Sequence, residues 1–134
     1  MNIKTILLTL LVSTSTLCAT QVDPKLLHAL HMVEASGRTG PILGDNGHAL
    51  GPLQIHRGYF NDAAEFDPSL GHDYSKCSDL EFSKRVVTAY LNRFAPKAVQ
   101  TNDLRTLARV HNGGPGGVKN DQTLVYWNKV KNNL

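Results

Sequence analysis

The chain has 134 residues, 41% hydrophobic and 19% charged, enough for one domain's core and too short for a second. Its 14 Lys and Arg stand against 11 Asp and Glu, a net +3 that favours anionic surfaces. No basic block is interleaved with aromatic residues, which argues against nucleic acid as a partner.

Residues 1–20 read as a leader. Lys4 supplies the positive end, Ile6 to Val12 the apolar run, and Ser13 to Thr20 a small-residue tract with cleavage expected near Ala19 or Thr20. The apolar run is too short to span a bilayer, so a secreted protein without a membrane anchor is expected. Loss of Lys4 with the leader leaves a mature net charge of +2. Cys18 leaves as well, so the mature domain, residues 21–134, keeps Cys77 alone and has no intrachain disulfide. Cys77 is expected to be a small apolar packing residue, with Cys77→Ser costing no more than about 0.5 kcal/mol, and the chain to be a monomer.

Asp23-Pro24 opens a first helix, with Asp23 as the cap and Pro24 in the first turn. Leu26, Leu30 and Val33 repeat at helical spacing, Leu27 and Ala29 widen the apolar face, and Gly37 is expected to stop the helix. Glu34 falls at the edge of that face, where apolar shelter favours its protonated form. From Thr39 to Ile55 the helical period is lost. Gly40-Pro41 and Asp45-Asn46-Gly47 signal turns, and an irregular β-hairpin carrying Asp45 in its turn is expected.

A second helix is expected over about Gly58 to Phe66, then a loop from Gly71 to Cys77. Ser78 followed by Glu81 reads as a capping box opening the longest helix, whose buried stripe is Val86, Val87, Tyr90, Leu91 and Phe94 and which Pro96 stops. Asn102 or Asp103 starts a helix through Leu104, Leu107, Ala108 and Val110, ended by the run His111 to Gly117. The last helix covers about Gln122 to Lys131 and buries Leu124, Trp127 and Val130. The fold class is therefore α+β and mostly α, with about five helices and one small hairpin.

Glu34 and Asp45 form the informative pair. One carboxylate is sheltered on a helix and the other sits in a polar turn where backbone amides favour its ionised form. Cleaving a glycosidic bond needs such a pair: an acid for the leaving oxygen and a carboxylate for the oxocarbenium-like sugar. His28, His31 and Glu34 follow one another at steps of three, which drift around the helix instead of converging on one ion, so no metal or other cofactor is expected. His31, one turn before Glu34, is expected to tune or hydrogen-bond near the acid.

Five stretches occur in an order that resembles the lysozyme-like superfamily, and most closely the invertebrate-type lysozymes. They are Val33 to Gly37, Gly44 to Gly47, Gly51-Pro52-Leu53-Gln54-Ile55, Ala108 to Pro115 and Tyr126 to Val130, and together they span nearly the whole mature chain. The resemblance implies a lysozyme-like fold with the hairpin beside the cleft. It implies Glu34 as general acid and Asp45 as second carboxylate, cutting the β-1,4 bond between MurNAc and GlcNAc in bacterial peptidoglycan; the resemblance leans towards retention of configuration, and the residues alone leave retention and inversion open. Gln54, His111, Asn112 and Gly113 are expected to bind the saccharide.

Two departures from the family pattern matter. Invertebrate-type lysozymes are disulfide-rich and this chain is not. Their isopeptide-cleaving side activity is associated with a serine before the Gly-Pro-x-Gln-Ile motif, but here that segment reads Asn46-Gly47-His48-Ala49-Leu50, so this activity is not implied. Gly51 to Ile55 and Asn112 to Gly114 also echo the lytic transglycosylases, which work without a second catalytic carboxylate. A saccharide-binding or inhibitor protein on the same fold is the non-enzymatic alternative.

Overall fold

The structure, a computed structural model, describes residues 19–134, so the leader lies outside the described residues except for Ala19 and Thr20. Thr20 is tied down: its N–H donates to Asn92 Oδ1 at 3.1 Å, and Asn92 Nδ2 donates to its carbonyl at 2.7 Å. Among the described residues, no helix is long and apolar enough to cross a membrane.

Helix α1 spans Pro24–Ala35. Asp23 caps it through Lys25 N, and Pro24 fills the first position, where the missing N–H would have had no partner. Leu26, Ala29 and Leu30 are fully buried, and side chains like these leucines each contribute about 1.5–3 kcal/mol on leaving water. The helix ends one residue before the expected glycine. Ser36 turns left-handed at φ 52 and its N–H satisfies Met32 O, with Gly37 following at φ 76.

The next segment forms a three-stranded antiparallel meander rather than one hairpin: β1 Leu43–Gly44, β2 Ala49–Leu50 and β3 Ile55–His56. Leu43 pairs with Leu50 and Gly44 with Ala49, while Ala49 and Leu50 pair on their other side with His56 and Ile55. Helix α2, Arg57–Phe66, leaves β3 directly and buries Phe60 and Ala63.

Helix α3, Leu80–Phe94, runs through the core with Val86, Val87, Ala89 and Leu91 essentially inaccessible. Its cap is Asp79, which accepts from Phe82 N at 2.7 Å, and not Ser78. Ser78 belongs to the preceding 3-10 turn, Tyr74–Ser78, where a loop is expected from sequence, and Glu81 pairs with Lys84 instead of closing a capping box. Pro96 ends α3 and also opens a short helix, α4 Pro96–Gln100, which the sequence reading missed because a proline that stops one helix suits the start of the next.

Asp103 caps α5, Leu104–Gly113, and α6 covers Gln122–Lys131. On α6 the buried residues are Thr123 and Val130; Leu124 and Trp127 are only half-buried. Among the described residues the α-helix count is thus six.

Cys77 is fully buried in this core, and burial pushes its thiol up to about 12 from an ordinary 9.0. Substitution by Ser therefore cannot be neutral. Cys77→Ser should lose about 1–3 kcal/mol in urea unfolding, because its hydroxyl is removed from water at a site built for sulfur. The raised thiol also sets a sign. Its contribution is intact below about pH 9 and lost as pH climbs towards 12, so the stability margin of wild type over Cys77→Ala should shrink in that window.

Candidate active site

Glu34 stands in the last turn of α1, with its side chain 19% exposed. Its Oε1 accepts a hydrogen bond from Tyr126 Oη on α6 at 2.6 Å. The same oxygen lies 3.5 Å from His111 Nε2 on α5. His111 is buried, and its Nδ1 lies 2.9 Å from Tyr59 Oη on α2. Tyr59 in turn stacks on Tyr90 of α3, with ring centroids 3.5 Å apart. One carboxylate is thus reached by side chains from two other helices, and through His111 it is linked to α2 and α3.

The proton positions in this chain follow from what each group can donate. Burial, with the neighbouring Tyr90 and Glu34, holds the Tyr59 hydroxyl well above its ordinary range, so it stays protonated. Among the described residues its hydrogen-bond partner is His111 Nδ1, to which the protonated hydroxyl can donate. In that arrangement a neutral imidazole carries its proton on Nε2, the nitrogen 3.5 Å from Glu34 Oε1. The opposite tautomer would set a nitrogen lone pair against that carboxylate oxygen.

Asp45 lies across the cleft in different surroundings. Its side chain is 60% exposed and its partner is His56 Nε2 on β3, at 3.4 Å. Among the described residues no backbone amide bonds to its carboxylate, so a histidine takes the place of the amides expected from the turn. Asp45 and Asn46 are both left-handed, at φ 48 and 54. Asp and Asn tolerate this region better than most side chains, though at some cost, and the pair turns the Asp45 side chain away from an ordinary 3-10 path.

A cavity of about 500 Å³ joins the two carboxylates, with Gln54, His56, Tyr59, His111, Asn112 and Gly114 in its wall. The structure therefore brings together Glu34, Asp45, Gln54, His111 and Asn112. Gly113 stands apart. A side chain there would meet Thr123 Cγ2 at 2.6 Å, so its lack of one serves the packing of α5 on α6, and Gly114 takes its place in the wall. Gln54 does line the cavity, but its Nε2 donates to Gly51 O at 2.8 Å and Ile42 O at 3.3 Å. Its Oε1 occupies the space that a side chain at Gly44 would need. It staples the hairpin from within.

His31 does not approach the acid; its Nε2 contacts Arg38 O at 2.7 Å and fixes the chain leaving α1. Sequence reasoning missed Tyr59 and the role of Tyr126 because their partners lie 52 and 92 residues away, and missed His56 because only the fold of the meander brings it to Asp45. A larger hollow, about 790 Å³, lies between the start of α1, the end of α2 and α3. Its two carboxylates are already engaged, Asp67 in capping Ser69 and Glu81 with Lys84, and it holds no histidine.

The family model described as Destabilase matches residues 25–133. Lysozyme 1 of Crassostrea virginica is 37% identical over 87 residues, covering 64% of this chain but 45% of that protein. Invertebrate-type lysozyme 6 of Caenorhabditis elegans is 34% identical over 90 residues, covering 62% of this chain and 65% of that protein. The matched segment thus spans about half to two thirds of these relatives' length. Among solved structures, Tapes japonica lysozyme superposes with a TM-score of 0.68 at 32% identity, covering 82% of this chain and 89% of that one.

The staple role of Gln54 is open to test. Gln54→Ala leaves the Ile42 and Gly51 carbonyls without their side-chain donor and should cost about 1–3 kcal/mol in urea unfolding. Amide exchange at Ala49 and Leu50 should quicken more than in α3. Equal protection in the variant would show that the meander holds without the staple.

Proposed function

The chain belongs to the Destabilase family, among the invertebrate-type lysozymes, and on that footing we propose that it is a lysozyme-type glycosidase hydrolysing the β-1,4 bond between MurNAc and GlcNAc in bacterial peptidoglycan. One observation carries the reading: two carboxylates face one cavity, Glu34 sheltered and hydrogen-bonded at one oxygen, Asp45 open to water beside a histidine. That difference in surroundings is what a division into acid and charge-bearing carboxylate requires. Glu34 protonates the glycosidic oxygen as the bond to the sugar breaks. Asp45 meets the positive charge that develops on the ring carbon, from the other side of the cleft. Asn112 and the bare backbone at Gly114 form the wall against which a sugar is laid. We further propose that residues 1–20 direct secretion and that residues 21–134 act as a monomer, the basic surplus favouring an anionic wall.

Glu34→Gln should fold normally and lose at least about 10²-fold in the rate of clearing a bacterial wall suspension, since the amide has no acidic proton to give. Clearance near the wild-type rate would remove Glu34 as the acid. Asp45→Asn separates hydrolysis from transglycosylation. Asn suits the left-handed turn, so the fold should persist while the rate falls by at least about 10²-fold. A variant that keeps most of its activity and releases 1,6-anhydro ends in place of reducing ends would assign the chain to the transglycosylases.

A further inference from the structure

Both groups that reach Glu34 reach the same oxygen. Tyr126 Oη lies 2.6 Å and His111 Nε2 3.5 Å from Oε1, while Oε2 has no hydrogen-bond partner among the described residues. We propose that Tyr126 is a positioning residue that pins Oε1 as an acceptor and so makes Oε2 the oxygen that carries and delivers the proton. This rests on the glycosidase reading above.

The argument is one of proton accounting. A carboxylic acid has one proton, and an oxygen already accepting from Tyr126, with an imidazole nitrogen 3.5 Å away, is the poorer place for it. Tyr126 is held as a donor: burial first, and then the adjacent Glu34, push its hydroxyl well above the ordinary tyrosine range. It has no other hydrogen-bond partner among the described residues. Were the Glu34 proton on Oε1, that proton and the tyrosine's would contend for the same 2.6 Å contact. Placed on Oε2, the proton leaves Oε1 free to accept from Tyr126.

In the reaction the Oε2–H bond breaks, the proton forms a bond to the glycosidic oxygen, and the bonding pair stays on the carboxylate. The leaving oxygen takes with it the pair of the severed carbon–oxygen bond. The charge left on Glu34 is then spread towards Oε1, where Tyr126 already donates and His111 Nε2 lies 3.5 Å away. Every titratable group facing Glu34 enters this balance: Tyr126 from α6, His111 from α5, Tyr59 behind it on α2, and Asp45 with His56 across the cavity. His31, on Glu34's own helix, is turned to Arg38 O and takes no part.

Tyr126→Phe tests the proposal by deleting one oxygen. A hydrogen bond to a charged group accounts for about a 10- to 100-fold drop in kcat, with KM changed by less than about twofold. The alkaline limb of the kcat/KM profile should move to higher pH, because the charged form of Glu34 loses a donor and the acid form persists further. 3-Fluorotyrosine at position 126, a stronger donor of nearly the same shape, should move that limb the other way. The side-chain carboxyl carbon of Glu34, followed by 13C NMR, should titrate with the same two signs. In a Glu34→Gln background Tyr126→Phe should add little to the loss.

A drop in kcat with an unmoved pH limb, an unmoved carboxyl titration and full additivity with Glu34→Gln would overturn the proposal and leave Tyr126 a packing residue. If wild type itself leaves walls intact while the carboxyl titration moves in both variants as stated, the glycosidase reading fails and the control of Glu34 by Tyr126 stands.

Discussion

The hydrogen bond from Tyr126 to Glu34 joins the first helix of the described chain to the last, across 92 residues of sequence. The geometry around the site depends on it. Glu34 lies at the C-terminal end of α1, where the helix dipole opposes a negative charge, and no basic residue sits in that last turn to offset it. A carboxylate there needs donors from elsewhere, and α5 and α6 bring them. The packing of α1 against these two helices is therefore tied to the ionisation of one side chain.

Opposite this buried cluster is a strained one. Asp45, Asn46 and Gln54 all take positive φ without being glycine, each a backbone state that costs of the order of 1–3 kcal/mol. Three such residues in one short meander persist because the surroundings overdetermine them. Gln54 is bonded twice to the backbone it bridges, and Gly44 leaves room for its carboxamide. The strain has a function in the proposed chemistry: it holds Asp45 out in water while Glu34 is drawn in. Two carboxylates lining one cavity thereby differ in exposure, 60% against 19%.

Much of this was legible in the sequence, and the boundary is physical. Local signals held: Asp23 and Pro24 start α1, Asp103 starts α5, and α6 falls on Gln122–Lys131, because caps and periodicity act within a turn or two. Ser78 misled because both it and Asp79 are good caps, and only the path of the 3-10 turn decides between them. The third strand was hidden because β2 and β3 are two residues each, too short for an alternating pattern to show a second pairing for Ala49 and Leu50. The cleft wall was read one residue off at Gly113, since two adjacent glycines look alike until Thr123 is placed against one of them. Tyr59 and Tyr126 carry no local signal, and their meaning lies in partners 52 and 92 residues away.

The scarcity of cysteine bears on the same cluster. Among the described residues Cys77 is a buried free thiol and no cross-link holds the helices, so the core must do so alone. Apolar packing is non-directional, however, and lets helices slide by fractions of an ångström. Directional contacts fix what packing leaves loose: the Tyr59–Tyr90 stack between α2 and α3, Tyr59 to His111 between α2 and α5, and Tyr126 to Glu34 between α6 and α1. Each is a polar or aromatic contact at the edge of the core, and together they touch five of the six helices. The side chains that surround Glu34 thus also register the helices. Stability and acid chemistry are then carried by the same groups, so a change to one of them moves both.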